Sequence, residues 1–168
     1  MIEIIALIAF TGLLAGAAFS DVATMTIPNW VSIALAAAFP VAALAAGAPL
    51  GQIGLHLAFG LAVLAIGFSL FQAGIIGGGD AKLIAAAAVW TGMSAFIPFA
   101  TWTAVAGGLL AIMLMIARHR VKPAEGRPAF VNRLLNVQGG VPYGVAILAG
   151  GLMAIGALPF AVSPLTLP

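Results

Sequence analysis

Residues 53–97 read IGLHLAFGLAVLAIGFSLFQAGII, then GGGDAK, then LIAAAAVWTGMSAFI. Two apolar runs, 53–76 and 83–97, are split by six residues carrying three glycines, a carboxylate and an amine. Both runs are continuous rather than alternating, and rich in Ala, Leu and Gly, which argues for helices and against barrel strands. The first is long enough for a helix rising 1.5 Å per residue to cross about 30 Å of hydrocarbon. The second is short and crosses by thinning the bilayer or by borrowing Ala81.

The rest of the chain repeats this pattern. Further apolar runs cover 2–19, 31–47, 99–117 and 143–160, giving six in all. Hydrophobic residues make up 64% of the 168 and charged residues 6%, with a mean hydropathy of +1.24. A soluble domain carries about 25% charged residues, so this is an integral membrane protein. The expected fold is all-α: one six-helix transmembrane bundle spanning residues 1–168, with both termini extracytoplasmic. The first run starts with Glu3 and no Lys or Arg, the reverse of a secretory signal, so it reads as a retained helix even though Ala15-Gly16-Ala17 offers small residues near its end.

Charge sets the orientation. If six spans alternate, the connections at 20–30, 77–82 and 118–142 share one face. Every basic residue (Lys82, Arg118, Arg120, Lys122, Arg127 and Arg133) falls there. The positive-inside rule makes that face cytoplasmic. The net charge of +2 is therefore read as topology rather than nucleic-acid binding. The basic loop from Arg118 to Arg133 is read as contacting anionic headgroups. The absence of cysteine excludes disulfides, thiolate nucleophiles and Cys-based zinc sites. His56 and His119 fall on opposite faces and cannot share a metal.

On the cytoplasmic face the count brings together Asp21, leaving the first span, and Asp80, entering the fourth. A carboxylate at the hydrocarbon edge is costly to keep and is a functional candidate by default. Asp80 has an alternative reading as a helix N-cap. Asp21 follows a helix C-terminus, where the macrodipole disfavours negative charge, and has less structural excuse. Gly77, Gly78 and Gly79 are suited to unusual dihedrals or to close approach of another chain. The sequence has no phosphate-loop spacing, so they read as a low-bulk ledge beside Asp80 against which an extended peptide can lie.

Asp21 with Ile27-Pro28-Asn29 (DVATMTIPN), then GGGDAKL at 77–83, then VPYG at 141–144, in that order among six spans, resembles the type IV prepilin peptidases, polytopic aspartic proteases of the Gly-x-Gly-Asp type. The resemblance covers essentially the whole chain. It is to the short form associated with Flp pili, because no cysteine-bearing cytoplasmic domain precedes Asp21; the methyltransferase activity of the long forms is not expected. Thr24-Met25-Thr26 departs from the basic residues that many relatives carry before IPN.

The resemblance implies Asp21 and Asp80 as the catalytic dyad, with neither metal nor cofactor. The chemistry agrees independently. Amide hydrolysis by two carboxylates needs one ionised, to take a proton from water, and one protonated, to polarise the scissile carbonyl and assist the leaving amine. Two acids held close cannot both ionise cheaply, so the pair shares a proton and titrates as a unit.

Supporting roles are less sharply drawn. Pro28 starts a helix, and Asn29 bonds backbone or substrate or serves as a turn residue. Lys82 biases the dyad or snorkels to the interface, the second reading being preferred because i and i+2 do not face each other on a helix. Pro142 and Tyr143 shape the site, with an interfacial anchor as the alternative for Tyr143.

The implied function is an endopeptidase of the bacterial cytoplasmic membrane. It removes the leader from a prepilin or pseudopilin precursor at the cytoplasmic face, just ahead of the precursor's own apolar helix. An archaeal preflagellin peptidase is the alternative of the same chemistry. A small proton- or cation-coupled transporter, and a noncatalytic scaffold, are alternatives of other classes.

Overall fold

The computed structural model describes residues 1–137 and 139–158. Among them the chain is all helical: α1 (Ile2–Thr24), α2 (Asn29–Ala45), α3 (Leu50–Gln72), α4 (Gly78–Arg120), α5 (Ala129–Leu135) and α6 (Tyr143–Met153), with a final 3₁₀ turn at Ile155–Ala157. α1, α3 and α4 are each long and apolar enough to cross a membrane, and α2 and α6 are shorter apolar helices. With the composition, this describes a multi-pass membrane protein. Pro159 and Phe160, the end of the last expected run, lie outside the described residues.

α4 departs from the expected pattern of separate runs at 83–97 and 99–117. Its 43 residues would extend about 65 Å if straight, twice the hydrocarbon thickness. It is broken instead at Gly92, whose φ of 56° and ψ of −168° lie in a region essentially reserved for glycine. The first limb runs antiparallel to α3, Gly60 meeting Ala85 and Val89 while Gly67 meets Ala81. The second runs antiparallel to α6, Thr103 meeting Gly150 and Gly107 meeting Tyr143. The limbs return to the same end of the bundle, because Arg118 bonds to the carbonyl of Gly140, beside Asp80. The reversal thus occurs at Gly92, earlier than the Ile97–Pro98–Phe99 boundary, and Pro98 lies inside the returning limb.

The first limb of α4 is the centre of the molecule. Ala81, Leu83 and residues 85–92 are buried, so this helix is covered on all sides, as a helix that is apolar all round should be. Phe10 of α1 and Phe39 of α2 pack their rings against Trp90, whose indole N–H donates to the Leu35 carbonyl at 2.7 Å. Small residues make the contacts while Ile4, Ile8, Leu55, Leu61, Ile66 and Ile112 are exposed. That distribution suits a bundle in lipid, where close backbone approach replaces the hydrophobic drive between helices. Gly107, Gly150 and Gly151 are packed closely at these helix contacts, whereas Gly108 faces open space.

α2 packs on α1 and α4 but scarcely touches α3. A groove of about 910 Å³ therefore stays open between α2 and α3, floored by the first limb of α4.

Candidate active site

At one end of the bundle, the close of α1, the start of α2, the start of α4 and the segment before α6 surround a pocket of about 320 Å³. Asp21, Asn29, Gly77, Gly78, Gly79, Asp80 and Lys82 line it, together with Met25, Thr26, Ile27, Gly140 and Val141. At about 30 Å³ per water, it has room for on the order of ten waters or for a short length of peptide.

Asp21 does not follow the first helix, as expected, but sits in its last turn and is 6% exposed. Its backbone carbonyl accepts the Met25 N–H at 2.7 Å, and Met25, at φ 57° and ψ 30°, ends the helix in the left-handed conformation. The loop that follows is held by its own hydroxyls. Ser20 Oγ donates to the Thr26 carbonyl at 2.9 Å, and Thr24 Oγ1 to the Ser20 carbonyl at 2.8 Å. The Thr24-Met25-Thr26 stretch thus shapes the turn that carries the chain past Asp21 to Ile27. The end of a helix offers carbonyls, not donors, to a carboxylate. The donor comes from across the bundle: the backbone N–H of Gly144 reaches Asp21 Oδ2 at 2.7 Å.

Asp80 is likewise not the N-cap of its helix. Gly77 is the N-cap and Asp80 stands in the first turn, its carboxylate accepting a hydrogen bond from the Gly77 backbone. This is one half of a capping box, in which a side chain three residues into the helix reaches back to the cap N–H. Asp80 is half-buried and close enough to Asp21 for the two carboxylates to interact electrostatically.

The glycines act through closeness, not through dihedral freedom. None of Gly77, Gly78 and Gly79 has a positive φ. A Cβ on Gly77 would lie 2.8 Å from Asp80 Oδ2, one on Gly78 3.2 Å from the Phe71 ring, and one on Gly79 3.2 Å from Ile27 Cβ. The expectation of unusual backbone is therefore corrected, and the close neighbours of all three glycines are side chains of this chain itself.

The other expected residues divide into two sets. Lys82 does not pair with Asp80; its Nζ donates to Asn29 Oδ1 at 2.9 Å, tying the start of α4 to the start of α2. Pro28 is the N-cap of α2, one position earlier than Pro prefers. Pro142 and Tyr143 stand outside the pocket lining. Pro142 is the N-cap of α6 and Tyr143 packs its ring against Gly107, so together they fix the position of Gly144. A Cβ on Gly144 would come within 3.1 Å of the Asp21 side chain and 3.2 Å of Ala18 Cα. Gly144 is the residue in contact with Asp21 that motif reasoning passed over, although it completes the VPYG stretch already singled out.

The basic loop is built into the same end. Arg118 Nε donates to the Leu134 carbonyl at 2.8 Å and its Nη2 to the Gly140 carbonyl at 2.7 Å. Arg133 Nη1 bonds the Ala23 carbonyl in the last turn of α1. With Arg127, whose Nη1 donates to the Lys122 carbonyl at 2.8 Å, three of the six cations satisfy backbone carbonyls, and the Arg133 contact in the last turn of α1 is a common use of arginine near a helix C-terminus. His56, by contrast, lies at the far end of the bundle, against Gly92.

Two carboxylates from separate helices, each held by a backbone N–H, facing one solvent-sized pocket at a membrane-helix terminus, form an arrangement able to activate water against a peptide carbonyl. No match exists among curated proteins or among solved structures. The type IV leader peptidase family matches residues 8–112, a stretch that holds both Asp21 and Asp80 and covers more than half of the chain. The chain belongs to the type IV leader peptidase family.

Proposed function

We propose that the chain is an aspartic endopeptidase that removes the leader from pilin-like precursors of the Flp type, with Asp21 and Asp80 as its catalytic pair. The observation that carries this reading is the shared pocket: the two acids come from α1 and α4, and no local stretch of sequence holds them together. One carboxylate takes the proton of a water that attacks the scissile carbonyl, while the other, protonated, polarises that carbonyl and then protonates the leaving amine. The precursor lies as an extended strand over Gly77–Gly79, beside Asp80. In this reading the six-pass topology, as one peptidase unit, puts the acid-bearing end on the cytoplasmic face of a bacterial inner membrane. Arg120, Lys122 and Arg127, exposed at that end, face anionic headgroups.

The test is co-expression of the chain with pilin-like precursors from the same genome, scored by gel mobility. The unsubstituted chain should shorten at least one of them. Asp21→Asn and Asp80→Asn should each abolish the shift while membrane abundance stays near normal, since asparagine keeps the shape without the proton chemistry. Near wild-type turnover by either variant would remove that residue from the mechanism.

A further inference from the structure

The open groove between α2 and α3 carries three observations that the acid pocket does not use. Its lining is apolar apart from Asn29, Ser32 and Lys82. Two of those, Asn29 and Lys82, also line the acid pocket, so the groove and the pocket adjoin, with the Lys82–Asn29 hydrogen bond at their boundary. The third, Ser32, is 7% exposed, and its hydroxyl has no hydrogen-bond partner. Ser32 stands one turn into α2 from Asn29, so the groove changes from polar to apolar as it leaves the acids.

The dimensions define an occupant. The groove follows α2 from Asn29 to Ala36, α3 from Phe68 back to Leu57 and α4 from Lys82 to Val89. At 1.5 Å per residue these stretches measure about 10 to 16 Å, a length that two to three turns of a helix match. A lipid chain could fill such a space but offers nothing to Ser32, and a buried hydroxyl without a partner is unfavourable. A peptide helix starting near the acids brings its unpaired first-turn N–H groups, and any polar side chain there, to the level of Ser32.

Resting on the peptidase reading above, we propose that this groove seats the precursor's own apolar helix, with Ser32 hydrogen-bonding its first turn and Ile33, Ala36, Leu61 and Ala65 gripping the turns below. Ser32 is then a positioning residue: by fixing where the helix begins, it fixes which peptide bond reaches Asp21 and Asp80.

The experiment uses the full chain in proteoliposomes with two substrates. One is a precursor that passes the co-expression test; the other is a peptide with the same junction cut off three residues after the scissile bond. The readout is the ratio of kcat/KM for the first to that for the second. Ala65→Trp, on an exposed part of α3, should lower the ratio about tenfold or more by filling the groove. Ser32→Ala should lower it about fivefold, and Ser32→Thr, which keeps the hydroxyl, should recover part of the loss. Leu109→Trp, exposed on the returning limb of α4 and outside the groove, should leave the ratio unchanged. A photoreactive residue at Leu61 should crosslink to the precursor.

Normal cleavage with an unchanged ratio in both Ala65→Trp and Ser32→Ala, or capture only of lipid at Leu61, overturns the groove assignment and leaves the peptidase reading intact. Failure of the unsubstituted chain to shorten any precursor in the co-expression test overturns both.

Discussion

The Asp21 carboxylate is held by a single backbone N–H, and the residue that supplies it bears no side chain. Gly144→Ala would put a methyl group 3.1 Å from Asp21 Cβ and 3.2 Å from the Ala18 backbone, so either α6 shifts or the 2.7 Å bond lengthens. Loss of a hydrogen bond to an ionisable group corresponds to about 1.5–3 kcal/mol, so precursor cleavage should fall roughly 10- to 100-fold at near-normal protein levels. Quantitative mobility-shift rates against immunoblotted abundance check this. Gly79 gives a graded test, because its neighbour is the Ile27 side chain at 3.2 Å. Alanine needs Ile27 to yield by a few tenths of an ångström, whereas valine adds two methyl groups with a restricted χ1, so Gly79→Val should lose far more cleavage than Gly79→Ala. Equal, high rates in both would mean that the ledge tolerates bulk. The two acids were legible in the sequence because acids are so few and so poorly placed for a membrane chain. Gly144 was not, because its significance lies in a partner 123 positions away and glycine carries no chemistry to point there.

At the scale of elements, the break in α4 decides how the chain returns. Gly92 combines φ 56° with ψ −168°, and a Cβ there would meet the His56 imidazole at 2.6 Å. Gly92→Ala should therefore destabilise the bundle by about 1–3 kcal/mol through backbone strain, plus a steric part. Thermal unfolding in detergent should show a lower midpoint. Adding His56→Ala should restore only the steric part and cannot relieve the dihedral; full recovery would place the whole cost in the ring contact. The ring is held from two sides, stacked on Phe39 at 4.8 Å and with Nδ1 2.7 Å from the Val89 carbonyl, so it has little freedom to yield. Helices and their approximate limits were readable from apolar runs alone. The position of this break was not. Pro98 is the stronger formal breaker, and Gly92 in WTGM looks like one more small packing residue until its neighbour from α3 is known. α5 was also missed, a seven-residue helix in a polar loop whose placement comes from Arg118 and Arg133 rather than from any periodicity of its own.

For the molecule as a whole, what must be tested is that one end of the bundle collects everything the chemistry needs. Asp21 and Asp80 line one pocket, and all six Lys and Arg residues belong to segments at that same end. The chain has no cysteine, so Cys introduced at both Asp positions would be the only thiols. A short bifunctional thiol reagent should join them in membranes; a direct disulfide is a stricter criterion, needing Cα atoms within roughly 7 Å. Ala17 with Asp80, one turn deeper in α1, should join less well. Reagent reaching positions 21 and 80 from opposite sides of the membrane would refute the shared site and the topology together. Charge counting made this convergence readable before any coordinates; the gap between α2 and α3 was invisible to it, since a missing contact leaves no mark on composition. That gap has a kinetic meaning. With one wall supplied by fluid lipid, the encounter takes place in two dimensions, and the relevant concentration is precursor per unit of membrane area rather than per litre. Adding empty lipid to fused proteoliposomes at constant enzyme and precursor should slow cleavage in proportion to the added surface, whereas diluting the same vesicles with buffer should leave the rate per vesicle unchanged.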